Sequence, residues 1–176
     1  ASKTTETTYN AFGQAIKQSV LKNPLTNTWA STYFYFNNDG QKTAQIDALG
    51  YLTEYKYDAT GNLTQTVEYA KAATSWDQSG YTPPNETNPQ TSPNDPAGYD
   101  RISEFQYDRK NQKVAQIQVN VEFNNNIGDL AIGTVVDDIT TSINYDAVGN
   151  VTRTTDALGA NSYVYYDALG RTTSTE

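Results

Sequence analysis

A four-residue word recurs along this chain and limits what it can fold into. Asp47-Ala48-Leu49-Gly50, Asp156-Ala157-Leu158-Gly159 and Asp167-Ala168-Leu169-Gly170 are identical, while Asp58-Ala59-Thr60-Gly61 and Asp146-Ala147-Val148-Gly149 differ only at the third residue. Glycines fall at 40, 50 and 61 and again at 149, 159 and 170, so gaps of ten and then eleven residues repeat at a constant offset of 109. Such a gap holds one strand of about six or seven residues and a turn of about four. The unit is then a β-hairpin. Asp47, Asp58, Asp146, Asp156 and Asp167 open the turns by accepting backbone hydrogen bonds, and Gly50, Gly61, Gly149, Gly159 and Gly170 supply the positive φ that a type I turn with a bulge requires.

Between the words the sequence alternates as a half-buried strand does. Tyr51, Thr53, Tyr55 and Tyr57 fall on one face, with Leu52, Glu54 and Lys56 on the other. Weaker copies of the word stand at Asn10-Ala-Phe-Gly13 and Asp108-Arg-Lys-Asn111, where Asn replaces the glycine. Strands are expected near 5–10, 15–21, 30–37, 42–47, 52–58, 63–69, 102–108, 113–123, 130–137, 139–146, 151–156, 161–167 and 172–175, every neighbouring pair antiparallel. The fold class is all-β: a repetitive antiparallel hairpin meander forming a twisted sheet or part of a spiral shell.

Three segments break the rhythm. Residues 22–29 read as an enlarged hairpin loop, and 124–129 as the tip of a long hairpin spanning 113–146. The stretch 70–101 holds Pro83, Pro84, Pro89, Pro93 and Pro96, which forbid a central strand. Its opening, Glu68 to Trp76, has helix-compatible residues and is expected to form a short helical turn. The organisation is therefore a first block at 1–69, an irregular Pro/Asn-rich insertion at 70–101 and a second block at 102–176.

Composition narrows the function. Only 36% of the 176 residues are hydrophobic while Tyr occurs 14 times, so any core leans on tyrosine rings. A net charge of −8 repels nucleic acid and anionic lipid. No apolar run approaches the roughly 20 residues that cross a bilayer, so a soluble piece without membrane insertion is expected. With neither His nor Cys, Ser-His-Asp, Cys-His and thiolate or imidazole metal chemistry have no residues to work with.

The words and their flanks resemble the YD-repeat, or Rhs, family. Tyr57-Asp-Ala-Thr-Gly-Asn-Leu-Thr64, Tyr145-Asp-Ala-Val-Gly-Asn-Val-Thr152 and Tyr166-Asp-Ala-Leu-Gly-Arg-Thr-Thr173 carry the resemblance, which covers roughly 5–69 and 102–176. It implies a length of β-sheet from the hollow shell of a larger secreted or cell-surface bacterial protein, enclosing a polymorphic toxin as in Rhs effectors and insecticidal toxin complexes, or displaying an adhesion surface as in teneurins. The family's autoproteolytic core is not found here, so self-cleavage and toxin activity are not carried over. The chain reads as a piece of a longer polypeptide whose partners are the remainder of that polypeptide and its cargo. No cofactor is implied.

Other residues suggest chemistry that plain structure also explains. Asp137, Asp138 and Glu122 suggest a paired-carboxylate glycosidase site, but adjacent acids on a strand point to opposite faces, and no enzyme is expected. The turn aspartates, Asn37-Asn38-Asp39-Gly40 and the 124–129 loop suggest calcium, but turn chemistry explains them, and no metal site is expected. The sequons at Asn62 and Asn150 report repetition before glycosylation. Tyr33 and Tyr35, or Tyr163 and Tyr165, would form a platform for sugars if exposed and packing layers if covered, leaving a carbohydrate-binding or adhesion module as the alternative function. Edge strands left without neighbours are expected to give weak edge-to-edge self-association.

Overall fold

The computed structural model describes residues 4–73, 75–76, 78–79, 100–124 and 134–176. Among them the chain forms β1 (Thr5–Tyr9), β2 (Ala15–Asn23), β3 (Thr28–Phe36), β4 (Lys42–Ile46), β5 (Leu52–Tyr57), β6 (Leu63–Glu68), β7 (Arg101–Tyr107), β8 (Lys113–Asn124), β9 (Thr134–Tyr145), β10 (Val151–Thr155), β11 (Asn161–Tyr166) and β12 (Thr172–Thr175). Their order in the sheet is their order in the chain. Pairs such as β2–β3, β7–β8 and β10–β11 are antiparallel. No helix among the described residues is long and apolar enough to cross a membrane. The Thr82–Gly98 stretch and the 125–133 tip lie outside the described residues.

Three expectations need correction. The 22–29 segment is not an enlarged loop: β2 runs to Asn23 and β3 starts at Thr28, with Asn23 Oδ1 accepting from Leu25 N at 3.0 Å and Asn27 taking φ 50°. The expected break near Asp138 is absent, because β9 runs unbroken from Thr134 to Tyr145. What Asp138 does instead is face a bulge: Gln118 pairs with Ile139 and Val121 with Asp137, leaving Val119 and Asn120 opposite one residue. Asn120 takes φ 54°, and its N–H donates to Asp138 Oδ1 at 2.9 Å. Nor do residues 69–73 turn into helix. They form a strap, described below.

The chain divides into two compact units, Ala1–Tyr57 with Thr66–Arg101, and Asp58–Gln65 with Ile102–Glu176. The first has an apolar core on one sheet face, where Tyr33, Tyr35, Ala44, Ile46 and Leu52 are buried. Cross-strand register builds it, Tyr33 opposite Ile46, Tyr35 opposite Ala44 and Ile46 opposite Leu52. The strap covers this face. Tyr69 N donates to Leu52 O at 3.0 Å, Ala73 N to Gly50 O at 2.9 Å, and Trp76 sits edge-on to Tyr33 with centroids 6.1 Å apart. Gly50 has φ 94° and a Cβ there would touch Ala73 O at 3.4 Å and the Trp76 ring at 3.5 Å, so the strap lies against a backbone without a side chain.

In the second unit, the matching positions at the 109 offset read differently. Tyr33, Tyr35, Ala44, Ile46 and Leu52 correspond to Ser142, Asn144, Arg153, Thr155 and Asn161. The register is kept, with Asn144 opposite Arg153 and Thr155 opposite Asn161, but polar bonds replace apolar packing. Arg153 Nε and Nη2 donate to Asn144 Oδ1 at 3.1 and 2.9 Å, and Thr155 Oγ1 donates to Asn161 Oδ1 at 2.7 Å. One backbone scheme therefore carries a covered face in the first unit and a polar one in the second.

Candidate functional site

The turn words share one hydrogen-bond scheme. At Asp47 the N–H donates to Tyr51 O and the C=O accepts from Gly50 N, while Oδ1 accepts from Leu49 N at 2.8 Å and Tyr51 N at 2.9 Å. The same set closes around Asn37, Asp58, Asp108, Asp156 and Asp167. Gly50, Gly61, Gly149, Gly159 and Gly170 take φ between 75° and 102°, and Asn111 takes φ 60° in the glycine position. Hydrogen bonds from the Asn62 amide and the Thr60 hydroxyl hold the Asp58 carboxyl down at about 2. The Asn150 amide lowers Asp146 likewise, and Arg171, through its backbone N–H and then its side chain, lowers Asp167.

A second device appears only at turns that follow odd-numbered strands. There the residue before the word is aromatic: Tyr9, Phe36, Tyr57, Tyr107, Tyr145 or Tyr166. Tyr57 donates its hydroxyl to Lys42 O at 2.8 Å, Tyr107 to Leu63 O at 2.9 Å, Tyr145 to Lys113 O at 2.7 Å and Tyr166 to Val151 O at 3.0 Å. Each acceptor is the second residue after the preceding odd-strand word and the first of the strand that follows it. Burial raises the Tyr57 and Tyr107 hydroxyl pKa values, which keeps both protonated donors at neutral pH. Turns after β4 and β10 are preceded by Ile46 and Thr155 and have no such latch.

This role of the Tyr-Asp pair was not read from the sequence. Its signal was there: words preceded by an aromatic residue and words preceded by Ile or Thr fall after odd and even strands respectively. Side chains lace neighbouring odd-strand turns as well. Gln14 Nε2 donates to Gly40 O at 3.2 Å, Asn62 Nδ2 to Asn111 Oδ1 at 3.1 Å and Lys110 Nζ to Ala147 O at 3.1 Å. Gly149 takes φ 102°, where any side chain would be strained, and a Cβ there would also stand 3.0 Å from the movable Gln112 Nε2.

The tyrosine pairs separate. Tyr33 and Tyr35 are buried, so neither is an exposed platform in this chain, and the expectation of a sugar surface there is corrected by the strap that covers them. Tyr163 and Tyr165 stack with centroids 6.5 Å apart and ring planes 24° from parallel. Tyr165 is 46% exposed, and with Arg153 and Asn144 the two rings line an open groove. Tyr165 donates to Glu176 Oε2 at 3.1 Å, which raises its pKa.

Of the carboxylates considered for catalysis, Asp137 and Asp138 are bound into the backbone, and the Glu122 side chain lies outside the described residues. Asp137 Oδ1 accepts from Asp138 N at 2.8 Å, and Asp138 serves the β8 bulge. Among the described residues no three acids cluster as metal ligands. Asn62 Nδ2 donates to Asp58 Oδ2 and Asn150 Nδ2 to Asp146 Oδ2, so both sequon amides work within their turns.

No curated protein matches the chain. Similar solved structures include a TcdB2-TccC3-Cdc42 crystal structure, 15% identical at a TM-score of 0.42 over 97% of this chain and 9% of that one. A TcdB2-TccC3 crystal structure is 16% identical at 0.41, over 97% and 9%. The Photorhabdus luminescens Tc holotoxin pore with TccC3 mutation D651A is 13% identical at 0.37, over 97% and 10%. The chain thus spans about a tenth of those chains. The RHS Repeat family pattern matches residues 36–74 and 145–176, two stretches that begin at Phe36 and Tyr145, the 109 offset apart, and include the latched words at Asp58, Asp146 and Asp167. Over those two stretches this chain carries RHS repeats, the pattern of the YD-repeat (Rhs) family.

Proposed function

We propose that this segment is a non-catalytic length of wall in a secreted or cell-surface bacterial Rhs protein, where it helps to enclose or display a polymorphic toxin. The observation that carries this reading is where the polar chemistry goes. Turn aspartates, latch tyrosines and the Asp137–Asp138 pair direct their hydrogen bonds to the backbone or within their own turns, closing a sheet, and among the described residues no reactive groups converge. A wall needs shape held rung by rung, and these bonds supply it. The test uses the full-length polypeptide that contains this segment. A passenger enclosed by the wall should resist added protease, and the combined Tyr107→Phe and Tyr145→Phe variant, which loosens two rungs, should shorten its survival. A passenger digested equally fast whether attached or free would end the enclosure reading.

The second reading, a carbohydrate-binding or adhesion module, draws support from the Tyr163–Tyr165 stack in its open groove beside Arg153 and Asn144. Aromatic faces flanked by fixed polar groups suit a sugar ring. Glycan-array binding that disappears in Tyr165→Ala would favour it. An array without signal would leave the wall reading alone.

A further inference from the structure

Two neighbouring odd-strand words depart from the repeat in one place. At the word 37–40 the latch tyrosine is replaced by Phe36, which has no hydroxyl to give, and the third position holds the acid Asp39 where the other words hold Leu, Val, Thr, Lys or Phe. The neighbouring odd-strand word places Phe12 at its own third position, 89% exposed. These changes meet around one cavity of about 580 Å³ within the first unit, lined among others by Phe12, Gln14, Phe36, Asn37, Asn38 and Asp39. Its polar floor is already fixed. Gln14 Nε2 bonds Gly40 O, and Asn37 Oδ1 accepts the N–H groups of Asp39 and Gln41.

We propose that this cavity receives the side chain of an arginine presented by a basic polypeptide segment. Phenyl rings attract a cation held against them, and a guanidinium tolerates stacking on an aromatic ring while its planar fork engages a carboxylate in two bonds. Asp39 supplies that carboxylate, exposed and accepting no hydrogen bond among the described residues. Among the described residues Asp39 has no ion pair: Lys42 Nζ lies 4.3 Å from the Tyr55 ring centre and donates to Gln45, and Lys17 lies over Tyr33. The net charge of −8 also draws a basic partner toward the chain. The inference goes beyond the wall reading and does not rest on it.

The test is a nuclear magnetic resonance titration of the isotopically labelled chain with acetyl-Gly-Arg-Gly-amide, alongside the peptide in which citrulline, neutral but nearly isosteric, replaces arginine. The arginine peptide should shift resonances of Phe12, Gln14, Asn38 and Asp39, and the citrulline peptide should bind about fivefold more weakly or less. Asp39→Asn and Phe12→Ala change exposed turn side chains, so the rest of each spectrum should stay unchanged while affinity falls about threefold. Absence of shifts at millimolar peptide, shifts spread over the acidic surface, equal binding of the two peptides, or undiminished binding by Asp39→Asn would each overturn the proposal. So would a neutral sugar that binds at these residues when the arginine peptide does not.

Discussion

At the scale of single residues, the Tyr-Asp pair divides its labour. Asp closes its own turn, and Tyr reaches across to the strand before. Losing a latch hydroxyl while keeping the ring removes one hydrogen bond, so Tyr107→Phe should destabilise the chain by about 0.5–1.5 kcal/mol. The converse change, Phe36→Tyr, restores a donor at the unlatched rung and should stabilise by a similar or smaller amount. Urea titration of both variants checks the pair, and a Tyr107→Phe midpoint equal to wild type would show that the bond contributes nothing. Asp58 makes a pH prediction. Its folded pKa of about 2 lies below the ordinary 3.8, so the charged form is favoured by folding, and that contribution is present above about pH 4. It is lost as pH falls through 2. Wild type should therefore be more stable than Asp58→Ala at pH 5, with the difference shrinking as acid is added; a difference constant to pH 2 would contradict the assignment.

Elements show what a periodic sequence does and does not announce. Turn positions were legible because Asp, Asn and Gly at fixed spacing act through local backbone geometry, which a short window contains. The β8 bulge was not, since Val119 and Asn120 are ordinary strand residues and only the register opposite Asp138 makes them two against one. The strap was hidden for a related reason: Tyr69, Ala73 and Trp76 look helix-compatible, but Tyr33 and Leu52 offer a larger apolar surface than an isolated short helix provides. The candidate tyrosines split the same way. Tyr33 and Tyr163 look alike in sequence, and long-range packing alone decides which is covered. Leu52→Ala should therefore cost about 2–5 kcal/mol through the cavity it leaves, while Asn161→Ala, at the equivalent polar position, should cost about 1 kcal/mol. Thermal melts of the two variants test this, and equal losses would refute the contrast between the faces.

At the scale of the whole molecule, one strand order runs through all twelve strands, with β1 and β12 at its two ends. Both are exposed throughout, and β12 carries no charged residue to discourage pairing. The isolated chain is expected to associate weakly through these edges, opposed by its charge of −8. Sedimentation velocity should show a small rise of the weight-average coefficient with concentration, larger at high salt where repulsion is screened. A coefficient that does not rise at either salt would remove the edge argument.

The latch has one more consequence, and it concerns inheritance. Its four acceptors belong to Lys42, Leu63, Lys113 and Val151, a cation, two aliphatics of different shape and a second cation, because the tyrosine grips a peptide carbonyl that every amino acid possesses. A hairpin joined to its predecessor in this way asks for nothing by name. Duplication, loss or exchange of whole hairpins can leave the joint intact, and a gene built from such units is free to change its length and its side chains without renegotiating each seam.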